Sequence, residues 1–222
     1  MDILNEEENK HYLRTFKPIN AQEIDSLDIK EHVIYYFYDY YKSTFVKSYP
    51  NIKLYEESYN AFIDVKNGVF LKNAYRHSQY QFTKVLQDFF GRFCGEWIIC
   101  TVPGHEKTEN VSNGVFKIVC SVNFDSLNSR FILINSLIQR KYSVEPKSRS
   151  KDRVMNYKKD QESLEINYKE RFAIQNKNII IIDDITTTGC ILVACRNLLL
   201  SAGAKRVVLL ALGKTKEKDF YG

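Results

Sequence analysis

Glycine and proline are scarce, nine and four in 222 residues. That poverty excludes a collagen-like or other fibrous chain and argues against a wholly disordered one. No run of about 18 uninterrupted apolar residues occurs, so no membrane span is expected. The opening Met1-Asp2-Ile3-Leu4-Asn5-Glu6-Glu7-Glu8 is acidic and lacks the basic-then-apolar order of an export signal. The cysteines number five (Cys94, Cys100, Cys120, Cys190, Cys195), with no C-x-x-C pair among them. With no sign of export, free thiols in a reducing cytoplasm are the simplest reading. The four histidines are scattered and do not supply the clustered ligands that a structural zinc requires. No internal repeat or low-complexity tract is present.

What is abundant is apolar and aromatic surface, 44% and 14% of residues. That is ample for a core, and the length fits one domain, or one domain with a modest accessory segment. The formal net charge is +5. It suits an anionic small ligand or loose nucleic-acid contact, and a solvated lysine-rich surface accounts for it equally well.

Residues 1 to about 30 read as one or two short helices or an ordered arm. Val33 to Tyr41, rich in tyrosine and β-branched residues, predicts a strand or hairpin arm. Dense aromatics of this kind usually pack; a base-stacking platform is the alternative. Residues from about Tyr55 to Phe93 read as helical, with apolar positions three and four apart between Tyr80 and Phe90. Trp97 to Val102 is a short continuous apolar run, the pattern of a strand buried on both faces, and Pro103-Gly104-His105 stops it. A helix is expected over about 113–127, and a strand or buried helix over Phe131 to Asn135. A charged, loop-like stretch follows from Gln139 to about Lys159. Finally Ile179 to Ile182, Thr186-Thr187-Thr188-Gly189, Ile191 to Leu200 and Val207 to Leu212 make strand, turn, helix and strand, a βαβ crossover. An α/β fold follows.

The chemistry concentrates where that first strand ends. Ligands of open parallel sheets bind beyond the carboxyl ends of the strands. Asp183 and Asp184 stand there, and two adjacent carboxylates need partners such as ligand hydroxyls or a hydrated cation. The turn beyond them offers three hydroxyls, a glycine and a helix N-terminus, whose free N–H groups suit a phosphate. Acids for hydroxyls beside a cradle for phosphate match a ribose 5-phosphate. The bland reading is an Asp-Asp strand end with threonine caps on the next helix.

The segment Ile179-Ile180-Ile181-Ile182-Asp183-Asp184-Ile185-Thr186-Thr187-Thr188-Gly189 resembles the phosphoribosyl pyrophosphate (PRPP) motif of type I phosphoribosyltransferases. The resemblance implies a type I phosphoribosyltransferase-like parallel sheet flanked by helices, with an N-terminal helical and aromatic hood over residues 1–95 and a PRPP-binding core over 96–222. It implies that Asp183 and Asp184 hold the ribose hydroxyls with Mg²⁺ nearby. Ile185, Thr186, Thr187, Thr188, Gly189 and Cys190 would wrap the 5-phosphate. More widely the chain is similar to the ComF-like and amidophosphoribosyltransferase-like branch. The similarity lies in Cys100 to His105, in Arg140-Lys141-Tyr142, and in Arg171-Phe172 ahead of the motif strand. There are departures. Thr186 stands where many members have an apolar residue, and Ile191 where many have a last threonine. Thr187 replaces the acid of purine-salvage members. Glu106-Lys107-Thr108-Glu109-Asn110 follows Pro103-Gly104-His105 in place of the branch's Arg-Gly-Phe-Asn, and the N-terminal zinc module of the branch is missing.

Transfer from PRPP breaks the bond between ribose C1 and pyrophosphate, and needs cations for the leaving group and exclusion of water. Pro103, Gly104, His105 and Lys107 are candidates for the pyrophosphate loop. Arg140, Lys141, Arg149 and Arg153 are candidates on a loop that closes over the site, unless that stretch is a solvated linker. Two functions are consistent with these features. One is a phosphoribosyltransferase using Mg²⁺ and an unidentified acceptor. The other is a non-catalytic PRPP sensor or a competence-type accessory protein touching nucleic acid. The aromatic N-terminal half could supply a homodimer interface.

Overall fold

Four consecutive isoleucines are all buried only if their strand is covered on both faces, and this requirement organises the molecule. The computed structural model describes residues 13–16, 33–48, 53–67, 73–105, 114–144, 158–159 and 161–216. In chain order they form β1 (Arg14–Phe16), β2 (Ile34–Tyr40), α1 (Ser43–Ser48), α2 (Lys53–Asn67), α3 (Asn73–Phe90), β3 (Glu96–Thr101), α4 (Gly114–Cys120) and a 3-10 turn (Phe124–Ser126). There follow β4 (Arg130–Leu133), β5 (Ile138–Arg140), β6 (Leu164–Ile166), α5 (Arg171–Ile174), β7 (Asn178–Thr186), α6 (Cys190–Ser201) and β8 (Arg206–Thr215).

The main sheet has the order β1-β2-β8-β7-β3-β4. Five of its strands run parallel, and only β1, at the edge, is antiparallel. The chain is therefore α/β, a mostly parallel sheet flanked by helices. β7 lies inside it between β3 and β8. Alternation sends Ile180 and Ile182 into one core with α2, α3 and α4, and Ile179 and Ile181 into a second core with α6. Each such burial is worth about 1.5–3 kcal/mol. No described helix is long and apolar enough to cross a membrane.

α3 forms as the spacing predicts: Phe82, Val85, Leu86, Phe89 and Phe90 lie on one stripe and are all buried. Its rings meet those of β2 and α2, with Phe37 edge-on to Phe89 at 5.9 Å and Phe62 against Phe82 at 5.2 Å. β2 is thus a packing strand. It pairs in parallel with β8, from Ile34↔Leu209 to Tyr40↔Thr215. The described part of the N-terminal segment thus adds a strand to the central sheet and helices to the first core. The physical reason is that β8 would otherwise be an apolar edge, and an unpaired apolar edge invites aggregation.

Some expectations shift. Within the segment expected to be short helices or an ordered arm, residues 14–16 form an edge strand; of residues 1–30 only 13–16 are among the described residues. The helix expected over 113–127 stops at Cys120, because Gln87 of α3 claims the backbone beyond it. Its amide donates to Asn123 O at 3.0 Å and accepts the Asn123 N–H at 2.9 Å. The stretch from Gln139 does not begin as a loop. Gln139 and Arg140 belong to β5, which pairs antiparallel with β6 in a separate two-stranded sheet.

Candidate functional site

β3 and β7 are neighbours, but the chain leaves them in opposite directions across the sheet. β3 is followed by α4 and β4 on one side, and β7 by α6 and β8 on the other. Such a reversal opens a crevice beyond the strands' carboxyl ends, where ligands of parallel sheets bind. The Val102 N–H donates to Ile182 O at 2.9 Å, so the segment Pro103-Gly104-His105 departs from beside Asp183. Both segments singled out from sequence therefore leave the same end of the sheet side by side.

β7 is longer than the four isoleucines suggest. It pairs with β8 through Asp183↔Ala211, Ile185↔Gly213 and Thr186↔Lys214. β8 runs on to Thr215 and offers partners past the apolar run, so the acids lie within the ladder and the turn proper is Thr187-Thr188-Gly189. Thr186 is buried in the strand; Asp183 and Asp184 are partly exposed. The carboxylates fold back on the main chain: Asp183 Oδ1 accepts the Asp184 N–H at 3.0 Å, and Asp184 Oδ1 accepts the Ile185 N–H at 2.6 Å. No described lysine or arginine is ion-paired with Asp184.

The turn is pinned to β8 by the Thr187 and Thr215 hydroxyls, 2.9 Å apart, and by Lys214 Nζ, 3.5 Å from Thr187 O. Gly189 precedes α6 with φ 79° and ψ 0°, a left-handed conformation that glycine adopts without strain. It supplies no side-chain cap. The Cys190 N–H reaches the Thr188 hydroxyl only at 3.4 Å, beyond the ordinary range. The Thr188 hydroxyl in turn lies 3.1 Å from Cys190 Sγ. The first turn of α6 thus presents N–H groups, a partial positive charge and hydroxyls in one place.

α2 closes one flank. The Ser58 hydroxyl donates to Asp39 O at 2.7 Å, and the Tyr59 ring stacks on Tyr40 at 6.3 Å. Burial, then Tyr59, then the Asp184 carboxylate raise the Tyr40 phenol above its usual range, so it stays protonated. On the other side Thr101, at the end of β3, donates to Asn135 Oδ1 at 2.6 Å. Sequence reading missed Tyr40, Tyr59, Asn135, Lys214 and Thr215. Of these, Lys214-Thr215 was the most accessible, since it ends the next parallel strand on the same edge.

Arg140 does not reach toward solvent. It is 3% exposed, with Nε donating to Gly104 O at 3.0 Å and Nη1 to the Ser163 hydroxyl. Lys141 is exposed and its ammonium donates to Glu162 O at 3.0 Å. Gly104 and His105 are exposed, and Pro103 is buried. Lys107, Arg149 and Arg153 lie outside the described residues. The buried Cys100 thiol is pushed well above its usual range by desolvation, which leaves it inert.

Two solved structures of a hypoxanthine phosphoribosyltransferase from Staphylococcus aureus resemble the chain. The orthorhombic form matches at 12% identity and TM-score 0.37, covering 64% of this chain and 75% of that one. The tetragonal form matches at 11% identity and TM-score 0.33, covering 72% and 76%. Likeness at this level carries no argument about activity. No protein-family model matches the chain, and no curated protein does.

Proposed function

We propose that the crevice between β3 and β7 binds PRPP and that the protein transfers its phosphoribosyl group to an acceptor, releasing pyrophosphate. One observation carries this reading. Asp183 and Asp184 stand side by side at the topological switch of a parallel sheet, just before a hydroxyl-lined turn that opens a helix whose N-cap, Gly189, supplies no side-chain cap. The acids suit the ribose 2- and 3-hydroxyls, which donate to carboxylates. The turn from Thr187 to Cys190, with α6 behind it, suits the 5-phosphate. Pro103, Gly104 and His105 leave β3 beside the end of β7 and are our candidates for the pyrophosphate end of the ligand.

The donor set fits Mg²⁺ in a specific way. Mg²⁺ commonly keeps several waters and binds through one or two carboxylates plus the oxygens of a phosphorylated substrate. Asp183 and Asp184 supply two carboxylates, and no third described His, Cys, Asp or Glu joins them. When bound, the ion neutralises charge on the leaving group. The chain's own residues hold the ribose by its hydroxyls and fix the 5-phosphate, so that C1 faces the acceptor. In the transfer, the acceptor's electron pair forms the new bond to C1 as the bond from C1 to pyrophosphate oxygen breaks. The electron pair of that bond leaves with pyrophosphate. Geometry and electrostatics, not covalent chemistry, are what such a site contributes.

A second reading, non-catalytic PRPP binding, rests on Glu106 to Asn110, which departs from the branch's pattern. One experiment separates the two. The protein is given PRPP, Mg²⁺ and a panel of bases and amines while thermal stability and pyrophosphate release are followed. At a hundredfold excess over Kd, binding stabilises by about 2.7 kcal/mol. Stabilisation with turnover supports the transferase, and stabilisation alone supports the sensor for those acceptors. No stabilisation of wild type, with Asp183→Asn behaving identically, removes the PRPP reading.

A further inference from the structure

β7 and β8 stay paired to the last residues before the turn, through Ile185↔Gly213 and Thr186↔Lys214. One step further the ladder ends and two side chains continue it: the Thr187 and Thr215 hydroxyls lie 2.9 Å apart. Thr215 is held from its other side as well. It pairs with Tyr40 of β2, and the Lys216 N–H donates to Tyr40 O at 2.9 Å. The two threonines differ in their surroundings. Thr215 is 2% exposed, whereas Thr187 is partly open.

That difference decides which hydroxyl donates, which the distance alone leaves open. Each hydroxyl has one proton to give and lone pairs to receive. Among the described residues, Thr187 Oγ1 is the one hydrogen-bond partner of the Thr215 hydroxyl. Were Thr215 to accept, its own proton would be buried without an acceptor, and an unsatisfied buried polar group is costly. Were Thr187 to accept, its proton would turn to the open side, where water or a ligand can receive it. Thr215 is therefore the donor, and Thr187 keeps a proton to offer at the turn.

We propose that Thr215 is a positioning residue: by donating to Thr187 it aims the Thr187 proton at the 5-phosphate of the ligand. A phosphate ester near neutral pH carries mainly acceptor oxygens. A hydroxyl with its proton turned outward suits it, and one with its proton turned inward does not. Thr215, buried, acts only through Thr187. This deepens the PRPP reading above and rests on it. It also gives β2 a part in the site, since β2 holds the end of β8 from which Thr215 acts.

The test is a double-mutant cycle read by titration calorimetry with Mg²⁺, using PRPP and ribose 5-phosphate as separate ligands. Loss of one hydrogen bond to a charged group corresponds to about a tenfold loss of affinity. Thr187→Val is expected to lose about that factor for both ligands. Thr215→Val, nearly the same shape without the hydroxyl, is expected to lose roughly threefold, because a freed hydroxyl can still rotate toward the phosphate. Thr215→Ser, which keeps the donor, should bind as wild type does. In the Thr187→Val background, Thr215→Val is expected to cost no further affinity, since no proton remains to be aimed. Should Thr215→Val fail to fold, Thr215→Cys, a weaker donor of similar size, takes its place in the cycle. Additive losses, no loss from Thr215→Val, a serine variant as weak as the valine one, or losses confined to one ligand overturn the proposal while the PRPP reading stands. So does a wild type that binds PRPP but not ribose 5-phosphate. A wild type that binds neither ligand overturns both.

Discussion

Gly213 lies inside β8, opposite Ile185 of β7 and Tyr38 of β2. A glycine there is unfavourable by about 0.5–1 kcal/mol relative to alanine on backbone grounds alone, so Gly213→Ala should stabilise a strand that had room for it. This strand has none. A Cβ built on Gly213 would run into the Phe62 ring, which lies over the strand from α2 and is itself buried and edge-on to Tyr40 at 5.5 Å. Overfilling a packed site costs about 1–3 kcal/mol. Gly213→Ala is therefore expected to lower stability by that amount, a fall in Tm of roughly 2–12 °C at 2–4 °C per kcal/mol. Urea unfolding with an unchanged m-value is the assay. Phe62→Ala by itself should cost about 3–5 kcal/mol. In the double variant the new methyl enters the space that the ring vacates, so the combined loss should be smaller than the sum by about 1–3 kcal/mol. Strict additivity, or a Gly213→Ala protein as stable as wild type, would refute the claim that the ring dictates glycine at this position.

Tyr38 carries a buried hydroxyl with no hydrogen-bond partner among the described residues, and desolvation raises its phenol well above the usual range. Tyr38→Phe is expected to stabilise by about 1–3 kcal/mol in urea unfolding, because the unsatisfied group is removed and the ring stays. Gly189→Ala should cost about 1–2 kcal/mol for its left-handed backbone. It should also weaken ribose 5-phosphate binding in calorimetry; unaltered binding would detach the turn from the site. Glu96 is held below its usual pKa of 4.5, first by the hydrogen bond from Lys177, then by that residue's charge, with a smaller contribution from Arg130. A depressed folded-state pKa stabilises above the unfolded value and is lost as pH falls through the folded one. Glu96→Gln should thus flatten the acid limb of stability against pH below about 4.5 and leave its shape near neutrality unchanged.

Much of this protein is legible in its sequence, for reasons that are local. Ile179 to Ile182 announce a strand covered on both faces, since no other environment takes four adjacent isoleucines at low cost. The stripe from Phe82 to Phe90 announces its helix by spacing alone. Asp183, Asp184 and the turn to Gly189 lie within a few residues of one another, so their conjunction can be read without knowing what surrounds them. The strand end at Thr186 was less legible. It depends on how far β8 runs, and that partner lies 28 positions away in register.

Arg140 marks the boundary between the two kinds of information. As a letter it is one cation in a basic stretch, suited to grasp a phosphate. Only the fold shows that β5 turns it inward, 3% exposed, onto Gly104 O and Ser163. The N-terminal aromatic run is similar: its residue types declare a packing strand, but not that β2 would add itself to β8 and complete the sheet. Local periodicity and side-chain chemistry determined which segments are strands and helices and where the acids and hydroxyls stand. Long-range pairing decided which strand ends share the crevice and which charges are spent inside. Burial and register are properties of contacts between distant residues, and nothing in a segment's own letters encodes its partner.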